Sequence, residues 1–204
     1  MLDVHPPEHR IGGARDFLLH LATITVGLLI ALGLENSVEA LHHRNQRHEA
    51  EDKIREEIRH NLESLAKAAP GLEQERATMH RFIAEMRAIQ AGRPSGQQEL
   101  QLAFHEEEIP DAAWRTASST GVLGYMPYEE VERFADAYRE QALLQAMAQR
   151  ALTDYLELTP MIDGKPTKDD ASLILPVAER AMGDLNGIAA AGQGTVESYK
   201  AALK

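Results

Sequence analysis

The stretch FLLHLATITVGLLIALGL, residues 17–34, carries no formal charge, and ENSVEALHHRNQRHEAEDKIREEIRHNLESLAKAA, residues 35–69, follows it without a Pro or Gly. Their joint reading decides the fold. As a helix, the first segment is roughly 27 Å long, close to the hydrocarbon thickness of a bilayer. Arg15 and Asp16 bound it on one side and Glu35 on the other. A buried core helix and a cleaved signal peptide are the rival readings. The uncharged run meets the transmembrane criterion and exceeds the apolar part of an ordinary signal peptide. Ser37-Val38-Glu39-Ala40 is also a poor cleavage site. Residues 17–34 are therefore read as an uncleaved transmembrane anchor behind a short tail, 1–16. Arg10 and Arg15 lie before the span and Arg44, Arg47 and Lys53 after it, a distribution that leaves orientation open.

Beyond the span nothing breaks the helix. A polar dozen runs from Leu41 to Asp52, and then Ile54, Ile58, Leu62 and Leu65 recur at spacings of three and four, the mark of an amphipathic face. Glu49–Lys53, Glu51–Arg55 and Glu63–Lys67 stand four apart with the acid first, the favourable order. One helix from about Arg15 to about Ala68 is expected, with 35–53 as a solvated stalk and 54–204 as a helical bundle. Pro70-Gly71 is expected to end it. A second helix carries Leu72, Met79, Phe82, Ile83, Met86 and Ile89, before a loop at Gly92-Arg93-Pro94-Ser95-Gly96. Leu100, Leu102 and Phe104 alternate in the manner of a short strand.

Pro110 opens a short helix over Asp111 to Ser119, and Gly121 and Gly124 form a turn. Pro127, at a first helical position, starts a long helix whose face is Tyr128, Val131, Phe134, Ala135 and Tyr138 onward to Leu156. Thr159-Pro160 ends it. Thr167-Lys168-Asp169-Asp170 resembles a capping box for a last helix with the seam Leu185, Ile188, Val196, Tyr199 and Leu203. Pro176 is expected to kink or restart that helix, and Gly192 and Gly194 to weaken it. Helices joined by short loops pack as an antiparallel bundle, here of four or five. The fold class is all-α, with one N-terminal transmembrane helix continuing into the bundle.

Composition narrows the function classes. Among 204 residues, 32 Asp plus Glu against 21 Lys plus Arg leave a net charge of −11, which argues against a nucleic-acid partner. The absence of Cys excludes disulfides, zinc–thiolate sites, iron–sulfur clusters and Cys nucleophiles. Nine His invite a search for metal sites. His48 and Asp52 stand four apart but lack a third ligand, and His105-Glu106-Glu107-Glu108 reads as a solvated loop. His42, His43, Arg44 and Arg47 are candidate contacts to lipid headgroups. Ser64-Leu65-Ala66-Lys67 matches an SxxK pattern without its SDN and KTG companions. No GxSxG, Walker loop or GxGxxG is present. No catalytic residue, metal ligand or cofactor is therefore assigned.

Two constellations remain. Thr23, Gly27 and Ala31 fall at steps of four, with His20 near the same face, a candidate surface for pairing of anchor helices into a weak homodimer. Trp114-Arg115-Thr116-Ala117-Ser118-Ser119-Thr120-Gly121 holds the only Trp. Trp114, Val131, Phe134 and Tyr138 are expected to be core, since large aromatics are scarce here; a ligand pocket is the rival reading.

The span ending Gly27-Leu28-Leu29-Ile30-Ala31-Leu32, followed by a charged helix, resembles a family of uncharacterised bacterial single-pass membrane proteins. The pattern Trp114…Ala117…Thr120-Gly121…Tyr128…Tyr138…Gln141 is similar to the centre of those chains, and 142–204 shows no such match. The resemblance implies a bacterial inner-membrane protein whose soluble domain faces the periplasm, with Trp114, Tyr128 and Tyr138 as structural hallmarks and no assigned activity. The partners expected are the lipid bilayer, a second copy through the anchor, and a protein as yet unidentified. A non-enzymatic membrane-tethered interaction or scaffold module is the leading expectation. A ligand-sensing bundle signalling through a partner comes second, since about sixteen residues before the span are too few for an output domain. A metal-dependent or hydrolytic enzyme comes third.

Overall fold

The computed structural model describes residues 13–93, 108–162 and 165–204. Among these there are four α-helices and no strand: α1 (Ala14–Gln90), α2 (Ala112–Thr120), α3 (Tyr128–Leu158) and α4 (Lys168–Ala202). Short 3₁₀ turns, Val122–Tyr125 and Thr159–Ile162, follow α2 and α3. The strand expected around Leu100, Leu102 and Phe104 and the loop residues Pro94, Ser95 and Gly96 lie outside the described residues. The chain divides into two compact units, Met1–Gln46 and Arg47–Lys204.

In the first unit every described residue except His43 is exposed. The large apolar side chains of 17–34 are 45–66% exposed and surround the helix on all sides, so no protein core covers them. Length and composition fit a membrane span, a test that a signal sequence also passes. Thr23, Thr25 and Ser37 each donate their hydroxyl to the carbonyl four residues back, at 2.9, 2.8 and 2.7 Å. Their polar atoms are thereby satisfied within the helix itself.

The second unit holds the core. One cluster joins Met79, Phe82, Ile83, Met86 and Ile89 of α1 to Tyr155 and Leu158 of α3 and to the first half of α4, from Ala171 to Leu185. Another joins Ile54 and Ile58 of α1 to Ala117, Val122, Met126, Phe134, Ala137 and Tyr138, and to Tyr199 and Ala202 at the end of α4. A small third cluster, Ile109, Leu144 and Ala191, is bordered by Leu65, Met147 and Ile188.

Pro70 does not end its helix, and α4 is not restarted at Pro176. Pro70 lies inside α1 and Pro176 inside α4. An interior Pro costs about 3 kcal/mol, because it offers no N–H to the carbonyl four residues back. Burial of apolar side chains on both flanks offsets this at roughly 1.5–3 kcal/mol each: Ile54, Ile58 and Met79 around Pro70, Leu175 and Val177 beside Pro176. Helix α1 instead ends at Gly92, whose left-handed φ of 74° closes the turn. The Gly92 N–H donates to Ile89 at 2.9 Å and the Arg93 N–H to Ala88 at 3.0 Å, a Schellman motif.

Other local expectations are shifted. Pro127 caps α3 from outside, with ψ 137°, while its carbonyl accepts the N–H groups of Glu130 and Val131. Tyr128 and Leu156, assigned by spacing to the buried face of α3, are 77% and 65% exposed, because the contact stripe passes instead through Phe134, Ala137, Tyr138, Gln141 and Leu144. Lys53 pairs with Glu56 at 2.9 Å rather than with Glu49. The capping box at α4 is present: Thr167 accepts from the Asp170 N–H at 3.2 Å, and Asp170 accepts from the Thr167 N–H at 2.8 Å. The Thr167 hydroxyl also donates to the Asp170 carboxylate at 2.7 Å, and this bond, followed by that from the Thr167 N–H, holds the Asp170 carboxyl below its usual range.

Candidate functional site

The second unit contains two features that chemistry can use, a buried polar seam and an apolar groove. The seam begins where the amphipathic pattern of α1 places no apolar residue. Asn61 is fully buried, and Ser64 nearly so, whereas Leu62 and Leu65 are half-buried. Asn61 Nδ2 donates to the Pro110 carbonyl at 2.7 Å and lies 3.3 Å from the Tyr199 hydroxyl. Tyr199 donates to Gln141 Oε1 at 2.5 Å, and Gln141 Nε2 donates to the Ile109 carbonyl at 2.7 Å. Gln145 reaches the same carbonyl at 3.0 Å. Asn61 Oδ1 is buried without a hydrogen-bond partner among the described residues.

One turn earlier, Glu57 grips the start of α2. Its carboxylate accepts the Ala113 N–H at 2.9 Å and the Tyr138 hydroxyl at 2.6 Å. The Tyr138 ring stacks on Trp114 at 5.3 Å between centroids. Below it, Arg55 lies over the Phe134 ring at 5.5 Å and pairs with Glu51 at 3.0 Å and Glu130 at 2.6 Å. Burial, then the Glu57 hydrogen bond, pushes the Tyr138 phenol far above its ordinary value, and burial does the same to Tyr199. Both remain protonated donors. The seam therefore clamps the 109–113 segment to α1 and α3 through amides and one carboxylate, with the Tyr199 phenol of α4 bonded to two of those amides. It offers no nucleophile with an adjacent base.

The groove lies between the two large core clusters, where α1 approaches Pro70. Its volume is about 1040 Å³, within the order of size of small-molecule sites. Leu65, Ile109, Leu144, Ile188 and Val196 give it an apolar lining, and Glu63, Lys67, Glu75, Arg76, Glu197 and Lys200 add charge. Glu75 is 8% exposed, the one charged lining residue so deeply buried. Sequence reasoning missed both Asn61 and Glu75. The available signal was a polar side chain at helical spacing from Ile54 and Ile58 for the first, and from Met79 for the second.

The residues singled out by sequence are distributed as follows. Phe134 is fully buried, Tyr138 is 6% exposed, and Trp114 and Val131 are half-buried against the same cluster. His20, Thr23, Gly27 and Ala31 are exposed on α1, and a side chain at Gly27 would meet nothing within 4 Å. In the first unit, His42 and Arg44 are exposed, and His43 approaches Glu39 at 4.0 Å. Arg47 belongs to the second unit, where it is half-buried. Ser64 is buried and Lys67 exposed, with no hydrogen bond between them. Among the described residues no three His, Asp or Glu gather where they could hold a metal ion; His105, Glu106 and Glu107 lie outside them. No known protein family matches the chain, and no curated protein or solved structure does so either.

Proposed function

We propose that this protein is a single-pass membrane protein whose helical unit works as a tethered interaction or scaffold module rather than as an enzyme. The observation that carries the reading is the uncharged stretch 17–34, exposed on every side, within the same helix that supplies Ile54 and Ile58 to a core. Water strongly disfavours so large a contiguous apolar surface, and a bilayer accommodates it. The pairs Arg180–Asp154, Tyr199–Gln141, Arg87–Glu179 and Asn61–Tyr199 support a bundle in which α4 runs against α1 and α3. The resemblance carried by Gly27 to Leu32 and by Trp114 to Gln141 supports a bacterial inner membrane with the helical unit on the periplasmic side. The amides and phenols of the seam bond mainly to one another, to Glu57 and to the Ile109 and Pro110 carbonyls, with no nucleophile beside a base, which supports a structural rather than a chemical role for the most polar part of the interior.

A second reading, a ligand-responsive bundle that passes its signal to a partner, is favoured by one observation, the groove of about 1040 Å³. The test for the leading reading is extraction and capture. The full-length protein stays in the membrane pellet at alkaline carbonate pH, and a detergent pull-down brings down one protein reproducibly and in fixed proportion. Release by carbonate removes the anchor, and a clean pull-down alongside a bound small molecule favours the second reading.

A further inference from the structure

We infer that the helical unit carries a hinge at the level of the groove. Its two large core clusters are packed blocks that rock against one another as α1 bends at Pro70-Gly71 and α4 at Gly192 and Gly194, opening and closing the groove. The blocks are distinct. Met79 to Ile89 of α1 pack with Tyr155, Leu158 and the first half of α4, whereas Ile54 and Ile58 pack with Phe134, Tyr138, Tyr199 and Ala202. Between them lie the small cluster of Ile109, Leu144 and Ala191 and about 1040 Å³ of unfilled space.

Three helices pass the groove, and two of them are weak there. In α1, Pro70 offers no N–H to the Ala66 carbonyl, and Gly71 beside it is a poor helix former. In α4, Gly192 lines the groove and Gly194 follows two residues on. Packing does not demand these glycines. A Cβ on Gly71 or Gly192 would meet nothing within 4 Å, and one on Gly194 would touch Glu140 Oε2 at an ordinary 3.7 Å. Gly187 differs, since a Cβ there would press on the Met147 sulfur at 3.3 Å. Helix α3 is the stiff member. Its residues 142–151 read ALLQAMAQRA, strong helix formers throughout. Sharp bends in helices arise at proline and at glycine, and here both stand at one level on two neighbouring helices. Polar ties brace the two ends of the groove: Asn61 Nδ2 lies 3.3 Å from the Tyr199 hydroxyl, and Arg76 Nε donates to Asn186 Oδ1 at 3.0 Å. A ligand or partner with unequal affinity for the open and closed arrangements would shift the balance between them. The hinge goes beyond both readings of the function, since it stands on backbone chemistry and the cavity alone.

The chain has no Cys, so single thiols can be introduced as reporters. Ala148→Cys places one in the groove lining, Ala137→Cys one among Phe134 and Tyr138, and Ala178→Cys one among Ile174 and Leu175; all three alanines are buried. Alkylation by N-ethylmaleimide is timed on the full-length protein in nanodiscs. The Ala148→Cys thiol is expected to react at least about tenfold faster than the other two, because the groove opens without unfolding either block. Pro70→Ala with Gly71→Ala strengthens α1 at two exposed positions and is expected to slow that reaction about tenfold, leaving the other two rates unchanged. Gly192→Ala with Gly194→Ala should do the same from α4, and decides the matter should the first pair fail to fold by circular dichroism. Equal rates at the three positions would mean that the groove opens only with global unfolding, and would overturn the hinge. An Ala148→Cys rate unchanged in either folded, stiffened variant would overturn it as well, since the thiol would then be reached through a static groove.

Discussion

Asn61 sits at helical spacing from Ile54 and Ile58, where a hydrophobic side chain is expected, yet it is a fully buried amide bonded to the Pro110 carbonyl. What it secures is position. A segment outside helix and sheet cannot satisfy its own backbone, so the carbonyls of Ile109 and Pro110 are met by amide side chains from α1 and α3. Phe134 plays the complementary apolar part beneath the Arg55 guanidinium. Phe134→Ala should cost roughly 3–5 kcal/mol, read from denaturant unfolding followed by the fluorescence of Trp114, the sole Trp, in the same cluster. An unchanged midpoint would remove Phe134 from the core. The tyrosines set a pH limit. Tyr138, Tyr155 and Tyr199 are all raised from 10.0, by burial first, so the folded chain holds protons that the unfolded chain releases. Their contribution is complete below about pH 10 and declines as pH rises past it. Melting temperature should therefore drop steeply from pH 9 to 11, and less steeply in Tyr138→Phe or Tyr199→Phe; a drop of equal steepness in both variants would contradict this.

At the scale of elements, α1 is the unusual member, 77 residues long with a proline inside it. Between its two buried stretches, residues 62–76 contribute only Ser64 and Glu75 to the buried set, and this is where the groove opens. Because Pro70 lies within α1, Pro70→Ala returns a hydrogen bond to the Ala66 carbonyl. Stability should then stay level or rise by about 1–3 kcal/mol, with helix content unchanged by circular dichroism. A loss of stability would mean that Pro70 works as a turn residue. In the first unit, Gly27 leaves room for a neighbouring backbone, while the Thr23 hydroxyl is already engaged with Leu19. Close approach rather than Thr23 hydrogen bonding must then supply any self-association. A two-hybrid reporter of the isolated span should lose most of its signal with Gly27→Leu and little with Leu28→Ala. Equal signals would exclude this stripe.

For the whole molecule, the prediction concerns the side of the membrane. A C-terminal alkaline phosphatase fusion should be active and the matching fluorescent-protein fusion dark in a bacterial host; the reverse pair would keep the anchor and move the helical unit to the cytoplasm. The all-helical class, the exposed apolar stretch 17–34, the helical starts near Ala112 and Tyr128 and the capping box at Thr167 were legible from residue order. Each depends on contacts within about one turn or on a single uninterrupted apolar run, and such terms act before any tertiary neighbour is in place. Tertiary structure decided the rest. Pro70 and Pro176 remain inside helices because distant core contacts outweigh a local cost of about 3 kcal/mol each. Tyr128 and Leu156 lie outside because the facing helices select a different stripe of α3. Asn61, Gln141 and Tyr199 meet across separations of 58 to 138 residues, and no periodicity along the chain encodes a hydrogen bond between side chains so far apart.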